Sequence, residues 1–472
     1  MFLNQIIVAI SILLFFRVFF WPKSKNWLLF VLSLIAIYYL QPSSAIRSLS
    51  FWFPTLILII SIIAWWLYAI QEKKLTKMDL ISLVVILAFP FLFNLLKFIG
   101  LSEFSFFSGT PKFLYLLLFS GLLILILFFF RKKTVNQSLV SIILISLVVS
   151  ILVILKSQAL SRYLSILLRQ LSGQSITLSS ADDIKWVGFS YFAFRLIHII
   201  IDREGVGRLE LSLRDFITYI VFFPAFTAGP IDRIEHFNGE LNKVEGNAIN
   251  EDFVEGGSRI VRGIFQKFIL ADSLALISLN SHIAKSINKT GWMWLALYAY
   301  AFRIFFDFSG YTDIAIGIGK LAGINLPENF KRPYLSKNIT IFWNNWHITL
   351  TQWFRTYYFN PVTRFIRSNN KNLSPAFIIF FTQITTMVLI GLWHGINWNF
   401  FVWGVWNGMG LFIHNRWSDK IKPKISFLQD NRLLIPINVI SVVFTFNFIA
   451  LGWVWFSLPS ITESVLVFSK LF

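Results

Sequence analysis

The chain has 472 residues, 56% hydrophobic and only 14% charged, with a mean hydropathy of +0.68. This excludes an ordinary water-soluble domain and predicts an all-α, polytopic membrane protein. No cysteine occurs, which removes disulfides, thiolate metal sites and a cysteine nucleophile. The formal charge of +19 comes from Lys and Arg scattered among short loops, a pattern that fits membrane topology and anionic lipid and not nucleic acid.

Apolar runs recur at residues 3–20, 26–41, 50–70, 79–98, 112–130 and 138–155, each near the about 20 residues that a spanning helix needs. With the more polar runs beyond residue 180, about 11 to 14 spanning or re-entrant segments are expected. The first run has no basic leader and no small-residue cleavage site and is followed by Pro22, Lys23 and Lys25, so it reads as a retained span. Lys23 and Lys25, then Lys73, Lys74 and Lys77, then Arg131, Lys132 and Lys133 mark every second connection. By the positive-inside rule these loops are cytoplasmic and the N-terminus lies outside.

Residues 1–155 form a bland scaffold of leucine, isoleucine and phenylalanine spans. The connection 156–183 contains SRYLSILLRQLSG, with leucines 164, 167, 168 and 171 at helical spacing, the signature of an interfacial helix on the outer leaflet. From 184 to 415 Gly, Pro, Asn, Trp, His and Asp enter segments that remain apolar; polar groups are costly in hydrocarbon, so their concentration marks a cavity or pathway. Residues 416–472 add a loop and a last membrane helix. Within the polar region FFPAFTAGPIDR, 222–233, suits a re-entrant element covered by protein. Gly319 with Gly323, and Gly404 with Gly408, are spaced for close helix contact. No repeat relates the two halves, which weakens a secondary-transporter reading.

Of the six histidines, His236 and His282 lie in polar connections, and His198 and His414 near helix ends. His347, in FWNNWHITLTQWFR, and His394, in LWHGINW, are instead set among tryptophans. Indoles exclude water and burial disfavours imidazolium, so such a histidine stays neutral near pH 7 and is able to accept a proton from an alcohol. A satisfied structural histidine remains open for each on spacing alone. Neither belongs to a metal-ligand pair, and no G-x-S-x-G elbow occurs.

FFDFSGYTDIAIGIGKLAGINLPENFKRPYLSKNITIFWNNWHITLTQWFR, 305–355, with GLWHGINWNFFVWGVWNG, 391–408, resembles the membrane-bound O-acyltransferase family. FFPAFTAGPIDR and GFSYFAFRLIHIIID agree, so the likeness covers about residues 185 to 415 and makes 184–415 the catalytic core. Its nearest likeness is the bacterial branch of alginate O-acetylation and teichoic-acid D-alanylation proteins. Thr356, where relatives have an acidic residue, and Asn344 and Asn345, where they often have a basic one, depart from the pattern.

The resemblance implies a multi-helix fold with a funnel meeting a tunnel at a central histidine, His394, with His347 as the second active-site histidine. It implies transfer of an acyl group, acetyl by default, from a cytoplasmic thioester such as acetyl-CoA or an acyl carrier protein to a hydroxyl of a cell-surface polysaccharide or wall polymer. D-alanyl or longer-acyl transfer to teichoic acid or lipid is the runner-up. No bound cofactor or metal is expected; the partners are the donor, the surface glycan, membrane lipid and an extracytoplasmic partner acyltransferase, in a bacterial cytoplasmic membrane. His394 takes the hydroxyl proton, and His347 polarises the donor with Lys331, Arg332 and Lys337 attracting its anionic carrier. Asn397, Asn407 and Gln352 are candidate partners for the oxyanion or the imidazoles, and Trp393 and Trp346 line the substrate. Asp307 and Asp313 require partners in an apolar segment, either a histidine or Arg303. A transporter and a non-catalytic export-complex scaffold are the readings from other classes.

Overall fold

The computed structural model describes residues 3–20, 24–69, 75–98, 109–131, 136–202, 211–243, 249–425 and 433–472. Lys23, Lys73, Lys74, Lys132 and Lys133, which carry much of the orientation reading, lie outside them. The described residues are helical without a β-strand, as composition predicts. Among the described residues five helices are long and apolar enough to cross a membrane, by length and composition: Leu49–Trp66, Lys77–Leu95, Ser138–Lys156, Pro375–His394 and Leu434–Ser457. Pro54 and Pro90 sit inside the first two without ending them, as membrane helices tolerate.

The chain divides into two compact units, residues 1–257 with 315–326, and residues 258–314 with 327–472. In the first, FFPAFTAGPIDR is a short 3-10 turn, Phe223–Ala225, within irregular backbone. Phe222, Phe223, Ala225, Phe226 and Ile231 are buried. Buried irregular backbone needs donors, and Arg195 supplies them: Nη1 donates to the carbonyls of Tyr219 and Ile220, both at 3.1 Å, and Nη2 to that of Ala225 at 3.0 Å. Gly319 and Gly323 do not form the expected helix-contact pair. Gly323, at φ +68°, lies just beyond helix Thr290–Leu321. Its N–H donates to Lys320 and that of Ile324 to Gly319, each at 2.9 Å, a Schellman cap that requires the left-handed residue.

The helix expected there runs Gln158–Leu171, and its leucines divide between the protein and the outside. Ser161, Ser165 and Arg169 are buried, whereas Tyr163 and Leu171 are 71% and 76% exposed. Leu164 and Leu168 pack against Ile46, Leu49, Phe53 and Ile184. The reason is Asp183, whose carboxylate accepts from Arg169 Nε at 2.8 Å and from the Ser165 hydroxyl at 2.6 Å. Burial alone would raise the Asp183 carboxyl, but these bonds and the Ser180 amide hold it below the usual carboxylate range. A depressed pKa adds stability above the ordinary carboxylate value of about 3.9, lost as pH falls through the folded value. Asp183→Ala leaves Arg169 buried without its partner and is expected to cost about 3–5 kcal/mol. Thermal unfolding of the purified protein should show a lower midpoint, and the difference from the parent should shrink as the medium is acidified into the carboxylate range.

In the second unit, helices Pro375–His394 and Trp398–Arg416 form an antiparallel pair at backbone contact. A Cβ on Gly404 would lie 2.5 Å from Val388 Cα, and one on Gly408 would lie 2.9 Å from Ile384 Cα, so this G-x-x-x-G does what its spacing predicts. Residues 308–311, F-S-G-Y, lie in the interior of helix Thr290–Leu321. A Cβ on Gly310 would meet the Gly263 carbonyl at 2.7 Å; close approach, not chain reversal, requires the glycine there. Asp313 pairs bidentately with Arg262, both contacts 2.8 Å, and Asp307 with Lys267, so neither carboxylate uses Arg303, which donates to Ser278.

Candidate functional site

Ser374 accepts the Phe377 amide and Pro375 opens helix Pro375–His394, a regular start. The helix ends at His394. Asn397, side chain accepting from the Phe400 amide at 2.9 Å, caps the next helix. A Cβ on Gly395 would lie 2.8 Å from the Phe400 ring, so the W-H-G glycine lets that ring close over the break. The His394 imidazole is half-buried. It meets Trp393 at 4.5 Å, Phe456 at 4.8 Å, Phe400 at 5.9 Å and Trp403 at 6.0 Å between ring centroids. Trp398, the indole expected beside it, is 72% exposed: the capped break turns it outward and brings Trp403 round instead.

His347 sits at the start of helix Ile348–Phe354 with φ +46°, a left-handed conformation uncommon for a residue with a β-carbon. Its ring packs edge-on to Phe308 at 4.6 Å and lies 6.1 Å from Trp393. The indole next to it therefore comes from the other histidine motif, while Trp346 stacks on Phe342 at 5.5 Å and meets Trp453 at 5.1 Å. His347 is buried, and its Nε2 has no hydrogen-bond partner among the described residues. An unsatisfied buried polar atom costs free energy, and such atoms concentrate where a ligand or a reaction uses them.

A cavity of about 300 Å³ is lined from helices Ile339–Asn345, Ile348–Phe354, Pro375–His394 and Trp398–Arg416. Trp343, Thr351, Arg355, Phe359, Gln383 and Met387 are among its walls. Thr351 donates its amide to the His347 carbonyl at 3.0 Å, and Arg355 to Phe359 form a π-helical turn, a form frequent at functional sites. Arg355 donates to Asn344 at 2.6 Å. The walls are mainly apolar, with polar groups at few points, which suits an elongated molecule of mixed polarity.

The structure thus brings His347, Trp393 and His394 together. The other singled-out residues lie differently. Asn397 and Gln352 are exposed, and Asn397 is occupied as a cap. Asn407 is buried but donates to the Trp403 carbonyl of its own helix at 2.9 Å. Trp346 belongs to the aromatic core, and Asp307 to its ion pair with Lys267. Lys331, Arg332 and Lys337 are exposed and make no ion pair among the described residues. His198 is buried with Nε2 3.4 Å from the Tyr219 hydroxyl. His236 is paired to Asp232 at 2.8 Å, a bond that raises its pKa. Phe308, Trp403, Phe456 and Asn329 were not singled out by sequence. The first three carry no polar signal, and Asn329 was hidden inside PENFKRPY.

An all-helical membrane protein with two histidines from distant motifs on one indole is the class that fold and site define. The profile of the membrane-bound O-acyltransferase family matches residues 206–454, and the chain belongs to that family. It is 34% identical over 291 residues to a probable alginate O-acetylase of Azotobacter vinelandii, covering 61% of this chain and 53% of that protein. It is 31% identical over 294 residues to a teichoic acid D-alanyltransferase of Streptococcus thermophilus, covering 58% and 68%. It is also 31% identical over 255 residues to a peptidoglycan O-acetyltransferase of Helicobacter pylori, covering 54% and 45%. The chain spans about half the length of the alginate relatives it matches.

Proposed function

We propose that the protein transfers an acyl group, acetyl in the first instance, from a cytoplasmic thioester to a hydroxyl of a surface polysaccharide or wall polymer. The observation that carries this is the meeting of His347 and His394 on Trp393. A buried imidazole and a half-buried one share that indole, and the helices that carry them also line a cavity of a size for an elongated carrier arm. The names of the relatives favour ester formation on an envelope polymer: two carry acetyl and one D-alanyl, so D-alanyl is the second reading.

In this reading the donor's arm occupies the cavity and its carbonyl lies against His347, with Lys331, Arg332 and Lys337 attracting the carrier's phosphate from the cytoplasm. The acceptor hydroxyl comes from the opposite side. His394 takes its proton as the oxygen attacks the thioester carbon; the carbonyl pair moves onto oxygen, the intermediate collapses with cleavage of the C–S bond, and the leaving thiolate takes the proton back from His394. The protein would lie in a bacterial cytoplasmic membrane with its N-terminus outside, served by an extracytoplasmic partner acyltransferase.

Mass spectrometry of surface glycans from cells with and without the protein tests this. One polymer should lose the mass of an acetyl ester, or of D-alanine on the second reading. Unchanged ester content in every surface polymer would overturn both.

A further inference from the structure

Helix Ile348–Phe354 begins in an unusual way. The residue before a helix normally uses a short polar side chain to accept the first free amides. Here that position is His347, whose side chain makes no such bond and whose ring is committed to Phe308 and Trp393. The capping is done from a distant segment by Asn329, which is fully buried. Its carbonyl accepts the Ile348 N–H at 3.0 Å. Its side-chain Oδ1 accepts the Thr349 N–H at 3.2 Å and the Thr349 hydroxyl at 2.8 Å. Beyond it, Phe330 and Trp346 form an antiparallel bridge and the Lys331 amide donates to the Asn345 carbonyl at 3.0 Å. Backbone bonds therefore grip the chain on both sides of His347, which holds a conformation that β-carbon sterics disfavour.

We propose that Asn329 is a positioning residue for acyl transfer: it caps the Ile348–Phe354 helix in place of His347, fixing that histidine in its left-handed conformation with the imidazole free for the reaction. The inference rests on the acyl-transfer reading of the His347 and His394 pair. It assigns the buried amide to its Oδ1 end. The Nδ2 end has no partner among the described residues, so a side chain chosen only to fill space would do as well or better as leucine.

That contrast supplies the test. Ester content of the surface polymer, per folded protein in the membrane, is measured for Asn329→Leu, Asn329→Asp, Thr349→Val and His394→Ala, with the thermal midpoint of each purified variant. Asn329→Leu keeps the volume and loses the acceptor; displacement of the imidazole by about 1 Å should lower ester content about 10- to 100-fold. Asn329→Asp keeps the acceptor oxygens and should recover most of it. Thr349→Val removes the hydroxyl that donates the 2.8 Å bond and should give a smaller loss than Asn329→Leu. Near-parental ester content in Asn329→Leu, or failure of a folded Asn329→Asp to exceed it, overturns the proposal. If neither Asn329 variant folds, Thr349→Val decides it, and parental ester content there is the contrary result. His394→Ala separates the two levels: ester retained in that variant defeats the acyl-transfer reading itself, whereas ester lost there but kept in Asn329→Leu defeats only the role of Asn329.

Discussion

His394→Ala is expected to yield a protein that inserts and folds normally and has lost acyl transfer by about 10²- to 10⁴-fold, the usual worth of a positioned general base. The half-buried ring leaves one side of the imidazole accessible, and its contacts with Trp393, Phe400, Trp403 and Phe456 are with large aromatic side chains that retain one another when it is removed. Folding should therefore survive, as fluorescence-detected gel filtration of the variant would report. His347→Ala differs in kind. In the proposed arrangement His347 contacts the donor, so its deficit should include a raised KM for the thioester, whereas the His394 deficit should fall on kcat with KM little changed. Equal and harmless behaviour of the two variants would instead indicate a scaffold with no chemistry of its own.

The second large effect is structural. A Cβ on Gly391 would lie 2.2 Å from the Phe400 carbonyl oxygen, an approach that backbone cannot tolerate, so Gly391→Ala must push apart the two helices that end and begin at the W-H-G break. Overpacking of this kind typically costs about 1–3 kcal/mol and sometimes more. Because His394 is one turn further along the same helix, transfer should fall together with the thermal midpoint. Gly121→Ala is the matched control: nothing lies within 4 Å of its Cβ position, and alanine is the better helix former. Its midpoint should be unchanged or slightly higher.

The helical membrane class was legible from composition; indole settings drew attention to the two histidines but left a structural role open for each, and the family resemblance singled them out. What lay near each histidine was not. Trp398 is adjacent in sequence yet exposed, while Phe456, Phe308 and Trp403 arrive from distant turns and helices. Periodicity reads one element at a time, whereas a ring's neighbours are fixed by which elements pack. The same limit applies to the Gln158–Leu171 helix: its leucine spacing was visible, but Asp183, on another segment, decided that Arg169 points inward. Asn329 is a third case, since its partners Ile348 and Thr349 are joined to it only through tertiary hydrogen bonds. Glycine spacing succeeded for Gly404 and Gly408, and failed for Gly319 and Gly323, where the helix stops.

The most direct measurement uses vesicles containing the purified protein, an acetyl thioester labelled in its acyl group outside or inside, and the isolated surface polymer on the other face. Acyl transfer predicts that label leaves the thioester and appears in alkali-labile ester linkage on the polymer, and that vesicles carrying His394→Ala form almost none. Label or polymer crossing the membrane with no ester formed would contradict it, and would make the polar, broken helices of residues 184–415 a permeation route instead.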